Sequence, residues 1–518
     1  MAVLSPTARG QCVANELTKL TASDGAFRDV FGSTVSLSGN TAIVGARHVD
    51  DACRDPDDVN CNSGSAYIFH VDTNGNWVQV AELAASDAEA GDEFGNSVSL
   101  SGDTAIVGAH RSDQAGNVSG SAYIFRRDFG GPDNWGQVVE LIGSDTAAFD
   151  AFARSVALSG DTAIVGASLH DHDVPISGSA YIFQRHAGGP ENWGQVAELT
   201  ATDPEGADFF GWSVALSGDT AIVGAWGNDD DGTESGSAYI FQRDFGGPDN
   251  WGEVVKVTAS DADVLDWFGW SVAVSGDTAF VGAPSNNDAC PGNVNCNSGS
   301  AYIFQRHISG PDDWDEVVKL TASDAAMFDT FAGAVSLSGD IAIAGATQDD
   351  DGGPQSGSAY IFQRDAGGTG NWGEVVKLGA SDAAANDNFG SAVALDGETA
   401  LVGAALDDEA CPQDPHCDSG SAYVIGGLSD CNDNGAIDLC DIADGNSNDD
   451  NNNGIPDECE SPPCPWDLDN TSTVGASDLL SLLVSWGPCK GCPADFDGNG
   501  NVGASDLLTL LANWGPCP

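Results

Sequence analysis

The stretch FGNSVSLSGDTAIVGA at residues 94–109 decides the fold. Val98 and Leu100 alternate with polar residues, the turn Ser101-Gly102-Asp103 follows, and an apolar run occupies residues 105–107. Alternation, a glycine turn and a β-branched run together predict the two antiparallel strands of a β-hairpin.

This hairpin sequence returns six more times, beginning at Phe31, Phe152, Phe210, Phe268, Phe331 and Phe389. Between copies, SGSAYIF and a segment such as GEVVKVTA (252–259) add two further strands, so each copy provides four. Seven repeated β units predict a ring of sheets. All seven tyrosines share one repeat position and six tryptophans share another, which indicates packing between blades. These residues are Tyr67, Tyr123, Tyr181, Tyr239, Tyr302, Tyr360 and Tyr423, and Trp77, Trp135, Trp193, Trp251, Trp314 and Trp372.

The two ends of the repeat array complement each other. The last copy, at 391–426, stops one strand short, whereas NELTKLTASD at 15–24 aligns with the fourth strand of the other copies. We therefore predict that residues 15–22 complete the seventh blade and close the ring, which removes exposed sheet edges.

The Phe-Gly and Val-Gly-Ala motifs resemble the FG-GAP repeats of the integrin α-subunit head, over roughly residues 15–426. This resemblance implies a seven-bladed β-propeller, in agreement with the strand count. Integrin copies often carry a DxDxDGxxD calcium loop between the first two strands. Here a tight Ser-Gly-Asp turn stands in that place, so we expect no calcium sites there.

Charge and cysteine content limit the classes of partner. The chain has 79 acidic residues against 17 Lys and Arg, a formal net charge of −62. Nucleic acid and anionic membranes are therefore not expected partners, because both require basic surface. No apolar run is long enough to span a membrane. Fourteen cysteines favour an extracellular or cell-surface location, although no signal peptide is visible at the N-terminus.

Variable loops follow the second strand of each copy and lie on the same predicted face as the connections between copies. Loops that differ on a repeated scaffold are typical binding sites, so we expect a protein or carbohydrate ligand on this face; drift without function is the alternative. Local disulfides are predicted for Cys53 with Cys61, Cys290 with Cys296, and Cys411 with Cys417. The acidic runs 229–231 and 349–351 are either solvated or hold a cation.

After residue 427 the composition changes to Asp, Asn, Gly and Cys. Two DxNxNGxxD patterns, at 429–440 and 449–459, offer oxygen ligands for Ca²⁺. The segment resembles thrombospondin type 3 repeats; a disordered acidic linker is the alternative. The candidate ligands are Asp430, Asn432, Asn434, Asp438, Asp449, Asn451, Asn453 and Asp457.

The last segment is a tandem duplication, in which residues 466–489 match residues 494–517. Each half pairs an EF-hand-like Ca²⁺ loop with an amphipathic helix, and the first loop is expected to bind more weakly because Ser472 replaces the usual glycine. The candidate ligands are Asp467, Asp469, Thr471, Thr473 and Asp478, then Asp495, Asp497, Asn499, Asn501 and Asp506. The pair resembles a type I dockerin, which implies a cohesin-like partner.

The remaining cysteines give partial information on pairing. Cys464 and Cys489 have the same separation as Cys492 and Cys517, which suggests one disulfide in each half of the duplication. The pairing of Cys12, Cys431, Cys440 and Cys459 stays open.

These features divide the chain into an N-terminal tail (1–14), a propeller (15–427), a calcium-binding spacer (428–463) and a dockerin-like loop–helix domain (464–518). The fold class is mainly β, with a small α module at the C-terminus. No catalytic constellation is recognisable, so we expect a secreted, non-enzymatic binding or adhesion protein tethered through its Ca²⁺-dependent module. The alternatives are a polysaccharide-active enzyme, a lyase or glycoside hydrolase, and a structural surface protein whose loops bind only cations.

Overall fold

The computed structural model contains seven four-stranded antiparallel sheets arranged in a ring, and a small helical module. It describes residues 16–50, 61–131, 134–172, 174–189, 192–290, 293, 296–306, 313–368, 370–410, 417–428, 437–443, 446–448, 473–488, 494, 496, 501–512 and 514–516.

The strands of the ring alternate with turns and loops in a constant pattern. The first strand is β1 (Thr18–Leu20), and blades one to three are β2 (Thr34–Ser38), β3 (Thr41–Ala46), β4 (Ser65–Val71), β5 (Trp77–Leu83), β6 (Ser97–Ser101), β7 (Thr104–Ala109), β8 (Ser121–Arg126), β9 (Gly136–Leu141), β10 (Phe152–Ser159), β11 (Thr162–Ala167), β12 (Ser179–Arg185) and β13 (Trp193–Leu199). Blades four to seven are β14 (Ser213–Ser217), β15 (Thr220–Ala225), β16 (Ser237–Arg243), β17 (Trp251–Val257), β18 (Ser271–Ser275), β19 (Thr278–Ala283), β20 (Ser300–Arg306), β21 (Trp314–Leu320), β22 (Phe331–Ser338), β23 (Ile341–Ala346), β24 (Ser358–Arg364), β25 (Trp372–Leu378), β26 (Phe389–Asp396), β27 (Thr399–Ala404) and β28 (Ser421–Ile425).

The ring closes through the N-terminal strand, as predicted. The seventh sheet has the order β1-β28-β27-β26, with Thr18 opposite Val424 and Leu20 opposite Ala422. Innermost strands of neighbouring blades lie side by side around the whole ring, including β26 beside β2. The fold is therefore a seven-bladed β-propeller in which residues from both ends of the repeat array form one blade.

The recurring aromatic residues form the cores between blades. Every repeat tyrosine is buried, and the phenylalanine that begins each copy is 0–1% exposed. The ring centroids of Phe94 and Tyr123, for example, lie 5.6 Å apart. The glycine after Phe94 is required by close approach, since a Cβ on Gly95 (φ +88°) would lie 2.3 Å from the carbonyl oxygen of Ser65. The predicted packing role is confirmed.

The recurring serines join neighbouring blades at the centre of the ring. The backbone N–H of Leu158 donates to Oγ of Ser99, and that of Gly160 donates to Oγ of Ser101, both at 3.0 Å. Equivalent bonds recur between other innermost strands, as from Gly397 to Ser338. The Ser-Gly-Asp motif is thus part of the scaffold.

A lysine of the fourth strand lies in a cup of acidic side chains in blades four to seven, and we call these sites the lysine cups. Their lysines are Lys256, Lys319, Lys377 and Lys19. In blade six, Nζ of Lys377 lies 2.7 Å from Asp324, 2.9 Å from Asp349 and 2.6 Å from Asp351. The acidic runs 229–231 and 349–351 therefore each supply carboxylates to a lysine cup, through Asp230 in the first run.

The C-terminal module has a small core. It comprises β29 (Thr473–Val474), α2 (Ala476–Val484), β30 (Gly487–Pro488), β31 (Asn501–Val502), α3 (Ala504–Ala512) and β32 (Gly515–Pro516). Strand β29 pairs with β32 and β30 with β31, so the two halves of the duplication exchange strands. Within its described residues, the buried apolar side chains are Val474, Leu482, Ala494, Val502 and Leu510. The preceding helix α1 (Asp438–Ala443) belongs with the propeller instead, because Cys440 and the adjacent Ile437 pack in the core of blades six and seven. Within the described residues, no helix is long and apolar enough to cross a membrane.

Candidate functional site

The loops predicted to share one face do so, and they surround the mouth of the central channel. The N–H of Phe94, which begins an innermost strand, donates to the carbonyl oxygen of Ser63 in the preceding blade's long loop at 2.9 Å. Loops after the second strands and connections between blades are therefore interleaved on this face. Below them lies a cavity of about 620 Å³.

One repeat position supplies the rim of this cavity. The residue that follows Phe-Gly, or Phe-Ala, in each copy lies at the entry to the innermost strand and lines the cavity in all seven blades. These residues are Ser33, Asn96, Arg154, Trp212, Trp270, Gly333 and Ser391. The side chain at this position differs from blade to blade, whereas the scaffold around it is constant. The differences in chemistry therefore lie at the mouth of the channel.

Blades four and five contribute a group of aromatic rings, which we call the tryptophan cluster. It consists of Phe209, Trp212, Trp226, Trp267 and Trp270, all half-buried. Trp267 and Trp270 stack with centroids 5.3 Å apart, and Phe209 stacks on Trp226 at 4.7 Å. Trp212 and Trp270 also contact each other, at 4.8 Å. Of the five residues, Trp212 and Trp270 line the cavity, and the other three pack behind them. Aromatic rings in a cavity wall can pack against a flat, partly apolar ligand.

Blades one to three contribute the arginine cluster, defined as Arg47, Arg111 and Arg154, all of which line the same cavity. The Arg154 guanidinium lies 3.7 Å from the ring centroid of Trp212 and so joins the two clusters. Arg111 also pairs with Glu93, with Nη1 and Oε1 2.7 Å apart. Three arginines at one site contrast with the formal net charge of −62 of the whole chain.

The positive charge at the rim belongs to the arginines and not to the neighbouring histidines. Burial, with Arg154 and Arg111 nearby, lowers the pKa of His110 to about 3, and burial beside Arg47 lowers the pKa of His48. Burial and Arg47 also lower the pKa of Arg154, although a guanidinium keeps its proton in proteins. The mouth therefore combines neutral imidazoles with three charged guanidiniums that repel one another.

A family model described as FG-GAP repeat matches seven segments of the chain, at residues 15–69, 77–125, 135–183, 193–241, 251–304, 314–362 and 372–425. The chain belongs to the FG-GAP repeat family. A comparison with curated proteins found no match. Each FG-GAP segment spans the fourth strand of one blade and the first three strands of the next. Family membership therefore accounts for the scaffold, and the two clusters at the channel mouth lie on residues that vary between the copies.

These cavity-lining residues were not predicted, although the sequence holds a signal for them. Four tryptophans, at 212, 226, 267 and 270, fall outside both the recurring blade position and the C-terminal duplication. Comparing the copies column by column, rather than the loops alone, would have singled out the position after Phe-Gly.

The predicted calcium ligands at the C-terminus are described in part. Asp438, Asp478 and Asp506 are fully buried, Asn501 is exposed, and Thr473 lies in β29. Asp478 and Asp506 occupy equivalent positions, and each accepts a backbone N–H, from Gly475 at 2.7 Å and from Gly503 at 2.8 Å. Buried carboxylates in both halves fit the closing ligand of a calcium loop. The other candidates, Asp430, Asn432, Asn434, Asp449, Asn451, Asn453, Asp457, Asp467, Asp469, Thr471, Asp495, Asp497 and Asn499, lie outside the described residues.

The cysteines of the long loops are disulfide-bonded where the structure describes them. Cys290 pairs with Cys296, as predicted. Cys61, Cys417 and Cys440 are each in a disulfide as well. Cys53 and Cys411, the predicted partners of the first two, lie outside the described residues, as do Cys12, Cys431, Cys459, Cys464, Cys489, Cys492 and Cys517.

Proposed function

We propose that this protein is a secreted, non-enzymatic binding protein whose channel mouth recognises an acidic carbohydrate, one that carries carboxylate groups on its sugar rings. The observation that supports this proposal most directly is the contact of Arg154 with Trp212 at the rim of the cavity. The guanidinium lies over one face of the Trp212 ring, and the ring of Trp270 lies 4.8 Å from the Trp212 ring, so charge and aromatic surface meet at one place. This combination matches a ligand that has both a charge and an apolar ring face.

The arginine cluster accounts for the anionic part of the ligand. Arg154 is half-buried, and the nearby Arg47 and Arg111 disfavour its charge. A carboxylate between them would relieve this repulsion and could accept two parallel hydrogen bonds from one guanidinium. The acidic remainder of the protein repels anions, so selection of an anionic ligand must occur at short range, in the cavity itself.

The tryptophan cluster accounts for the carbohydrate part. Sugar rings present C–H groups on one face, and such a face packs on an indole as an aromatic ring would. The two rings that line the cavity, Trp212 and Trp270, would supply this packing surface. A cavity of about 620 Å³ is within the usual size of a small-ligand site, about 300–1,000 Å³.

The C-terminal module provides the second part of the proposed function, calcium-dependent tethering. Equivalent apolar residues of the two halves remain exposed: Leu480 with Leu508, Leu483 with Leu511, and Trp486 with Trp514. Such a repeated apolar surface is suited to docking on another protein, for which a cohesin-like protein is the candidate. Ca²⁺ would order the loops before the helices and so present this surface.

Binding of defined oligosaccharides tests the channel-mouth proposal. We would titrate the full chain with a polyuronate oligosaccharide and with a neutral gluco-oligosaccharide of the same length. The expected result is binding of the polyuronate only, weakened at least tenfold in Trp212→Ala and in Arg154→Gln, each losing about 1.4 kcal/mol or more.

The matched control is Arg243→Gln, which removes an arginine at the opposite end of the blades, where it pairs with Asp219 and Asp249. It should bind as the native protein does. Equal weakening in all three variants, or equal affinity for the neutral sugar, would contradict the proposal. Release of new chain ends from the polyuronate in the same samples would identify an enzyme and contradict the non-enzymatic part.

A further inference from the structure

Blade three departs from the lysine cups in a way that changes the kind of cation it can hold. Fourth strands carry lysine in blades four to seven, but Glu82, Glu140 and Glu198 stand at this position in blades one to three. In blade seven, the ammonium of Lys19 lies 2.9 Å from Asp407 and 2.8 Å from Glu409. This place in a blade is therefore a cation site, which the lysine itself fills where it is present.

In blade three, the lysine position and the two acidic positions of the cup all carry different residues. His170 and His172 stand where blade seven has Asp407 and Glu409, and Glu198 stands where it has Lys19. One ring nitrogen from each histidine and one carboxylate oxygen of Glu198 lie within 4.8 Å of one another. His172 Nδ1 is 3.0 Å from Glu198 Oε1.

Three carboxylates and one hydroxyl surround His170. Its Nδ1 lies 3.0 Å from Oγ of Ser179, which in turn donates to Glu198 Oε1 at 3.1 Å. Its Nε2 lies 4.0 Å from Asp145 and 3.9 Å from Asp150. The carboxylates of Asp145, Asp150 and Glu198 thus concentrate negative charge around the imidazole, which favours a cation at this place.

From this arrangement we infer that blade three holds a divalent transition-metal ion, with Zn²⁺ as the best match, through His170, His172 and Glu198. Two imidazoles and a carboxylate are a usual Zn²⁺ ligand set, and water completes the tetrahedron. Ligand atoms about 2.1 Å from the metal are about 3.4 Å apart, so small side-chain rotations suffice. The Ser179 contact to His170 is the kind of outer hydrogen bond that orients a metal-bound histidine.

The other glutamate-bearing blades show that this set is specific to blade three. In blade two, Ser112 and Gln114 occupy the two histidine positions, and Nε2 of Gln114 donates to Asp87 at 2.8 Å. In blade one the first position is Val49. Neither blade offers two imidazoles. Blades one and two are therefore natural comparisons for blade three that should not bind the metal.

Zn²⁺ alone is the probe for the test. The full chain, kept in millimolar Ca²⁺ to occupy oxygen-rich sites, would be titrated calorimetrically, and its melting temperature Tm would be measured with and without Zn²⁺. We expect one tight Zn²⁺ per chain, a rise in Tm on binding, and loss of at least about 100-fold in affinity in His172→Ala, because a direct ligand contributes more than an outer-shell residue.

A second variant controls for misfolding. The triple substitution His170→Asp, His172→Asp and Glu198→Lys rebuilds the blade-six cup, so it should fold, should keep the melting temperature of the metal-free native chain or exceed it, and should not bind Zn²⁺. His186→Ala, in the same blade but outside the site, should bind as the native chain does. Tight Zn²⁺ binding that survives in His172→Ala and in the triple variant would overturn the inference, as would its absence from the native chain.

Discussion

Lys19 and Asp382 stand 363 positions apart in the chain, and the Nζ and Oδ2 atoms of the pair lie 2.6 Å apart. The same carboxylate accepts the hydroxyl of Tyr423 through Oδ1, at 2.8 Å. Lys19, on the short N-terminal strand β1, thus links the loop after blade six to the core of blade seven. Closure of the ring depends on ionic contacts as well as on the pairing of β1 with β28.

Removal of the closing strand should therefore destabilise the whole propeller. Deletion of residues 1–22 removes β1, the Lys19 cup and the bond from Ser381 Oγ to Glu16, which is 2.8 Å long. We expect a large fall in Tm by differential scanning calorimetry, because the edge of β28 and the acidic group around Asp382 are left exposed. Deletion of residues 1–14 alone is the control. An unchanged Tm in the longer deletion would contradict closure by this strand.

Each lysine cup should contribute separately to the stability of the propeller. The Lys377 side chain is 7% exposed and that of Asp349 is 5% exposed, so Lys377→Met leaves a buried carboxylate without its cation. Breaking such a pair costs about 3–5 kcal/mol. Urea unfolding should show this loss, and Asp349→Asn added to Lys377→Met should recover part of it. A double variant less stable than the single one would rule out uncompensated charge as the cause.

The propeller should be more stable at mildly acidic pH than at neutral pH. Burial raises the pKa of Asp92, Asp266 and Asp387 to about 6, against 3.8 for a free side chain. Between pH 3.8 and about pH 6, these carboxyls hold more protons in the folded state than in the unfolded state. The stability that this protonation contributes is fully present below pH 3.8 and is lost as pH rises through about 6. The lowered pKa values of His110 and His48 act in the opposite direction below pH 6.5, the ordinary value for histidine. Because the three carboxyls outnumber them, Tm should be higher near pH 5 than near pH 7.5.

Asp387→Asn tests the origin of this pH dependence. The amide retains an oxygen for the N–H of Ala384, which Asp387 Oδ2 accepts at 2.6 Å, but it cannot ionise. The difference in Tm between the two pH values should shrink in this variant. An undiminished difference would assign the effect to other carboxylates.

The periodic features of the propeller could be predicted from the sequence, because one local pattern repeated seven times and each copy needed its neighbours for a core. The channel mouth could not, because Arg154 and Trp212 lie in different blades and only the ring brings their side chains together. The lysine cups were missed for a similar reason: Lys377 and Asp351 are 26 positions apart and meet only across β24 and β25. The C-terminal calcium ligands were proposed from spacing alone and stay a prediction.

The disulfide of blade five should stabilise its loop more than the ring. Cys290 and Cys296 enclose a short loop, for which the loss of chain entropy on cross-linking is worth about 2 kcal/mol. The carbonyl oxygen of Cys296 accepts the N–H of Phe328, at 2.6 Å, from the connection to the next blade. In the variant with both cysteines replaced by serine, we expect faster proteolysis within 285–330 and a small fall in Tm. Cleavage at other blades instead would contradict a local role.

Calcium should be required for the C-terminal module and not for the propeller. A domain of this size buries little apolar surface, and within its described residues the core consists of five apolar side chains, so we expect its folding to depend on a metal. Chelation should therefore abolish helices α2 and α3, as measured by circular dichroism and by proteolysis of residues 429–518, while the blades persist. Protease resistance of this region in chelator would show that its folding does not depend on calcium.

The second calcium loop should bind Ca²⁺ more tightly than the first. Asp495→Ala should weaken Ca²⁺ binding more than Asp467→Ala, because the second loop has Gly500 at its turn where the first has Ser472. Equal effects of the two substitutions would show that the glycine does not set the order of affinity.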